Sequence, residues 1–129
     1  MFNRSAPPGT VVPNLCYTDV EKAVAWLCDT FGFVERLRWG GGAQPTVELV
    51  LGEAALFVRG PSDGPGSPGD PPFRPPGPDG RSHTIMVSVD DVDAHYQRAC
   101  DRDATIASAI QTYAFGERQY SAYDLDGHR

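Results

Sequence analysis

Apolar positions along this chain alternate with polar ones, then recur every three or four residues, then alternate again, and the whole order occurs twice. Val11-Val12-Pro13-Asn14-Leu15-Cys16-Tyr17 reads as a strand. Pro13 belongs at its edge or start, because proline has no N–H to give a ladder. Thr18 or Asp19 can cap a helix, with Glu21 and Lys22 in its first turns. Val20, Ala23, Val24, Trp26, Leu27 and Phe31 then fall at helical spacing, and Gly32 ends the run. Phe33 to Trp39, Thr46 to Leu51 and Ala54 to Arg59 follow as strands, joined by turns at Gly40-Gly41-Gly42 and Gly52-Glu53. This first unit, about residues 11–59, is β-α-β-β-β.

Residues 60–81 are dominated by proline and glycine and read as an exposed linker. Phe73 is its one large apolar side chain and a candidate anchor to the body or to a second subunit. The second unit, about residues 82–129, opens on the apolar run His83 to Val89, a strand. Val89-Asp90-Asp91-Val92 then repeats the turn Tyr17-Thr18-Asp19-Val20, so the acidic pair is read as a helix cap. A helix from Val92 to Asp101 and strands at Thr105–Thr112 and Gln119–Tyr123 come next. Asp124-Leu125-Asp126-Gly127 has the composition of a hairpin turn. A last strand is expected after it, since its lack would leave a sheet edge open. Residues 1–10 read as a loose arm.

Composition narrows the function classes. A chain of 129 residues, 40% hydrophobic, supports one packed domain or two half-size units sharing a core. The formal charge of -6 argues against a phosphate-binding surface of clustered Lys and Arg, so no nucleic-acid partner is expected. No apolar run approaches the roughly 18 residues of a membrane helix, and the start has no signal-peptide core, so no membrane partner is expected. Cys16, Cys28 and Cys100 lie far apart without pairing pattern, which suits free thiols in a reducing cytoplasm. His83, His95 and His128 show no metal-binding spacing, and no phosphate loop or nucleophile elbow is present.

The pattern resembles the vicinal oxygen chelate superfamily, also called the glyoxalase/bleomycin resistance/dioxygenase fold. The likeness rests on Asp19-Val20 with Ala23, Phe31-Gly32-Phe33, Val89-Asp90-Asp91-Val92, and Tyr120 through Asp124-Leu125-Asp126-Gly127. It covers about residues 11–59 and 82–129. It implies an α+β fold, a single domain over 1–129, in which two βαβββ modules curl mixed sheets around a shared cup, often with a second identical subunit. Metal enzymes of the family hold a divalent ion with four side chains from that cup. The corresponding positions here are Val12, Thr84 and a site near Phe57, with the fourth past Arg129. No metal ligand and no cofactor is therefore expected.

Alternation assigns the faces of the strands. If Leu15 and Tyr17 pack under the helix, Val12, Asn14 and Cys16 face the cup. Thr84, Met86 and Ser88 face it from the second module, while Ile85, Val87 and Val89 belong to the core. Glu48 and Val50 face it if Leu49 and Leu51 are core. Trp39 stands at the rim, Phe57 on the fourth strand, and Tyr120 on the far side. The candidate ligand-binding set is Asn14, Cys16, Trp39, Glu48, Phe57, Thr84, Met86, Ser88 and Tyr120. Glu48 is the one charge among them and requires Arg36, Arg118 or a cationic ligand. Two functions compete. One is a metal-independent binding protein, similar to the drug-sequestering branch of the family, which holds an aromatic or cationic small molecule such as an antibiotic. The other is a metal-dependent glyoxalase-like lyase, isomerase or dioxygenase, for which Glu48 is the available base.

Overall fold

The computed structural model describes residues 11–40, 42, 44–62, 72–77, 80 and 83–129. The expected arm, Gly41, Ser82 and most of the linker lie outside them. The elements run β1 (Asn14–Cys16), α1 (Val20–Phe31), β2 (Val34–Trp39), β3 (Thr46–Leu51), β4 (Ala54–Arg59), α2 (Val92–Asp101), β5 (Thr105–Thr112) and β6 (Arg118–Tyr123). The class is α+β as expected, and each half sets a helix before antiparallel strands.

Module one is a four-stranded mixed sheet in the order β1-β4-β3-β2. β1 runs parallel to β4, and the other pairs are antiparallel. The alternating side chains Leu15, Tyr17, Val47, Leu49, Leu56 and Val58 point to one face and pack on Val20, Ala23, Val24 and Leu27 of α1. Local chemistry sets the ends of α1. The Asp19 carboxylate accepts from the Lys22 N–H, and Gly32 closes the helix at φ 82, a left-handed conformation that favours glycine. The Gln44 side chain adds a second cap from the β2–β3 turn, accepting from the Val20 N–H and donating to the Thr18 carbonyl.

Module two holds α2 over the antiparallel pair β5–β6. Asp91, not Asp90, supplies its cap by accepting from the Ala94 N–H. Residues 83–89 differ from expectation: they belong to no sheet. In module one the corresponding strand, β1, is held by β4. In module two the described backbone contacts at that place come from residues 128 and 129. The Asp124 N–H donates to the His128 carbonyl (2.9 Å), and the Ile85 N–H donates to the Arg129 carbonyl (2.8 Å). Among the described residues no strand pairs with residues 86–89, and Met86 is 83% exposed. The two sheets are separate and do not close around a cup.

The modules meet along a polar seam. The Tyr17 hydroxyl donates to Asp124, and the Thr18 N–H and hydroxyl donate to Asp126. Arg98 of α2 donates to the Asp29 and Cys28 carbonyls at the end of α1, and His95 meets the Phe31 carbonyl. Phe73 of the linker packs half-buried under the Arg59 guanidinium, an anchor to the body. Among the described residues no helix is long and apolar enough to cross a membrane.

Candidate ligand-binding site

The sheet face turned away from α1 carries Glu48, the one fully buried charge among the described residues, and the register explains how it is built. Asn14, Phe57 and Glu48 lie in one row across β1, β4 and β3, so their side chains share that face. Leu37 of β2 ends the row opposite Glu48. Between Glu35 and Leu37 the register slips, and Arg36 is the extra residue of a β-bulge. A bulge re-aims side chains, and here Arg36 donates through Nη1 to Glu48 Oε2. Glu48 is 0% exposed, whereas the Arg36 side chain is 43% exposed. Glu48 Oε1 has no hydrogen-bond partner among the described residues. A buried carboxylate oxygen without a donor is costly, because it has given up water for nothing.

Aromatic surface flanks this carboxylate. Trp39 stands edge-on to Phe57, with ring centroids 5.2 Å apart, and is 37% exposed. Leu37 and Val34 are exposed along the same edge strand. Arg38 and Glu35 pair with each other and Arg38 with Glu21 of α1, so they do not compete for Glu48. Hydrogen bonding from Arg38 holds the Glu35 carboxyl below its ordinary range. Cys16 is buried on the Glu48 side of β1, and burial first, with the charge of Asp126 second, pushes its thiol up. A thiol so shifted is not a nucleophile at neutral pH.

The expected site residues fall into three groups. Trp39, Glu48 and Phe57 share the face just described. Asn14 and Cys16 share it too but border a small cavity of about 150 Å3 beside Phe73 and Arg74. Thr84, Met86, Ser88 and Tyr120 line a larger cavity of about 600 Å3, whose floor is Leu15, Phe33 and Leu56. That floor is the helix-facing side of module one, so this cavity opens beside the unladdered residues 84–89 and not onto Glu48. Tyr120 turns toward α2, where its hydroxyl meets His95 Nδ1 at 2.7 Å and its ring meets Tyr96. Burial, helped by Cys100 and Tyr96, pushes that hydroxyl up to about 12. The nine residues therefore do not converge on one cup.

Sequence reasoning missed two features. One is the bulge at Arg36, which nothing in Glu35-Arg36-Leu37 announces. The other is the cluster around Asp124, whose carboxylate accepts from Tyr17, from the His128 N–H and ring, and from the Asp126 N–H. The signal for it was present, since an Asx-type turn demands such bonds.

The three implied metal positions that lie among the described residues do not fit an ion. Val12 and Phe57 offer no donor atom, and Thr84 offers only an exposed hydroxyl. Among the described residues no three His, Cys, Asp or Glu side chains gather.

Comparison with known proteins agrees with this architecture. An uncharacterized protein of Mycobacterium bovis is 29% identical over 116 residues, covering 90% of this chain and 76% of its own length. The crystal structure of TioX from Micromonospora sp. ML1 is 31% identical, with 93% of each chain covered and a TM-score of 0.72. FosX, a genomically encoded fosfomycin resistance protein of Listeria monocytogenes solved with Mn(II) and sulfate, shares the fold at 15% identity. It covers 94% of this chain and 87% of its own, with a TM-score of 0.62. The model of the glyoxalase/bleomycin resistance protein/dioxygenase superfamily matches residues 10–129. The chain thus belongs to the glyoxalase/bleomycin resistance protein/dioxygenase superfamily.

Proposed function

We propose that this protein binds a small aromatic cation, of the kind found among antibiotics, and holds it without chemical change. The ligand lies on the face of module one against Trp39, Phe57 and Leu37, and Glu48 answers its charge. One observation carries the reading: a carboxylate at 0% exposure keeps one oxygen without a donor beside a half-exposed tryptophan. Stacking and burial supply affinity there, and the carboxylate supplies selection by charge. The donor set at the implied metal positions, and a Cys16 thiol held in its protonated form, favour binding over catalysis. The exposed apolar edge of Val34, Leu37 and Trp39 suits cover by a second copy of the chain. The three free cysteines suit the cytoplasm.

A thermal-shift screen of cationic aromatic antibiotics, run with and without chelator, tests the reading. A binder at a hundredfold excess over its dissociation constant stabilises the fold by about 2.7 kcal/mol, and chelator leaves the shift unchanged. Glu48→Gln is expected to weaken that ligand by about 10- to 100-fold, the worth of a charged hydrogen bond. Unchanged affinity would remove Glu48 from the site.

A further inference from the structure

We infer that Arg36 is an internal occupant of the ligand's charge site, exchanged for the ligand's cation on binding, and that Glu48 selects a planar, two-pronged cation over an ammonium. The inference rests on the proposed ligand face and specifies how charge is recognised there.

Arg36 and Glu48 are unequally placed. Glu48 is sealed, while Arg36 reaches in from a bulge on the edge strand with its side chain 43% exposed. Glu48 is the one hydrogen-bond partner of Arg36 among the described residues. Arg36 can therefore swing to solvent at small cost to itself. Glu48 cannot follow, and a buried charge left alone is strongly unfavourable. The pair opens only when another cation arrives, which makes entry an exchange and excludes neutral ligands from the carboxylate.

The unfilled oxygen sets the shape of the incoming group. Arg36 uses Nη1 on Oε2 and leaves Oε1 without a donor. An amidinium or guanidinium entering in plane gives two parallel N–H groups to both oxygens, the fork arrangement that carboxylates favour. An ammonium is a point charge with no fixed fork. The other cations nearby do not interfere: Arg38 is held by Glu35 and Glu21, and Arg59 lies over Phe73. The flat body attached to the fork meets Trp39 and Phe57, which fits benzamidine-like groups.

Calorimetric titration with benzamidine, benzylamine and benzyl alcohol tests this on the wild type, Arg36→Gln, Arg36→Met and Glu48→Gln. The glutamine variant keeps a neutral donor near Glu48 should the methionine variant fail to fold. Benzamidine is expected to bind the wild type about tenfold more tightly than benzylamine, as one added charged hydrogen bond gives. Arg36→Gln, or Arg36→Met where it folds, is expected to tighten benzamidine about tenfold or more by removing the competitor. Glu48→Gln abolishes the preference. Weaker or unchanged benzamidine binding on losing Arg36, or equal binding of benzylamine, overturns the exchange. Benzyl alcohol separates the two claims. If it quenches Trp39 while benzamidine shows no preference, the ligand face stands and the exchange falls. If no probe perturbs Trp39, both fall.

Discussion

Tyr17 shows how much one side chain can hold in this fold. Its ring is in the core, its hydroxyl donates to Asp124, and its face lies 4.6 Å from the His128 ring. Tyr17→Phe removes the donor and leaves Oδ2 of a 6% exposed carboxylate with only the His128 ring, which it shares with Oδ1. The expected cost is about 1–3 kcal/mol in chemical denaturation, and no loss of stability would show that the seam is solvated. The same residue gives the fold an alkaline limit. Burial foremost, then the charge and hydrogen bond of Asp124, raise the Tyr17 hydroxyl above its ordinary value. A raised folded-state value means that the contribution is whole below about pH 10, where unfolded tyrosine begins to ionise, and is lost as pH climbs beyond it. Stability is expected to fall above that point, and to fall less steeply in Tyr17→Phe. Leu49, fully buried in the middle of β3, is the packing counterpart. Leu49→Ala is expected to cost about 2–5 kcal/mol through the cavity it leaves.

At the scale of elements, what was legible in the sequence is what local pattern controls. The helix from Val20 to Phe31 was legible because Asp19 and Gly32 mark its ends and its apolar residues keep one period. The helix from Val92 to Asp101 was legible because Asp91 repeats the Asp19 signal. Strand faces followed from alternation, so Leu15, Tyr17 and Leu49 were placed in the core and Glu48 opposite them. Features set by a distant partner were not legible. The bulge at Arg36 depends on pairing with β3. Residues 83–89 have strand composition, yet they pair with no strand among the described residues. Amide exchange can separate these cases. Amides of β3 and β4 are expected to be protected, and those of residues 86–89 to exchange as solvent-exposed chain. Protection of residues 86–89 equal to that of β3 would show that they are laddered in solution.

The two modules repeat one plan and are bound through a seam. The seam bonds of Tyr17, Thr18, Arg98 and His95 couple the copies, so unfolding should be cooperative. Trp26 and Trp39 both report on module one, whereas far-ultraviolet dichroism reports on α1 and α2 together. The two signals are expected to lose native character at one midpoint, and separate midpoints would show that the modules unfold independently. Two places compete for a ligand. The outer face of module one combines aromatic surface with an incompletely bonded carboxylate. The larger cavity lies between residues 84–89 and the helix-facing side of module one. Backbone and side-chain chemical-shift mapping during titration with benzamidine distinguishes these places most directly. The account predicts shifts at Leu37, Glu48, Phe57 and the Trp39 indole that vanish in Glu48→Gln. Shifts confined to Thr84–Ser88 and Tyr120, or the same shifts in Glu48→Gln, would contradict it.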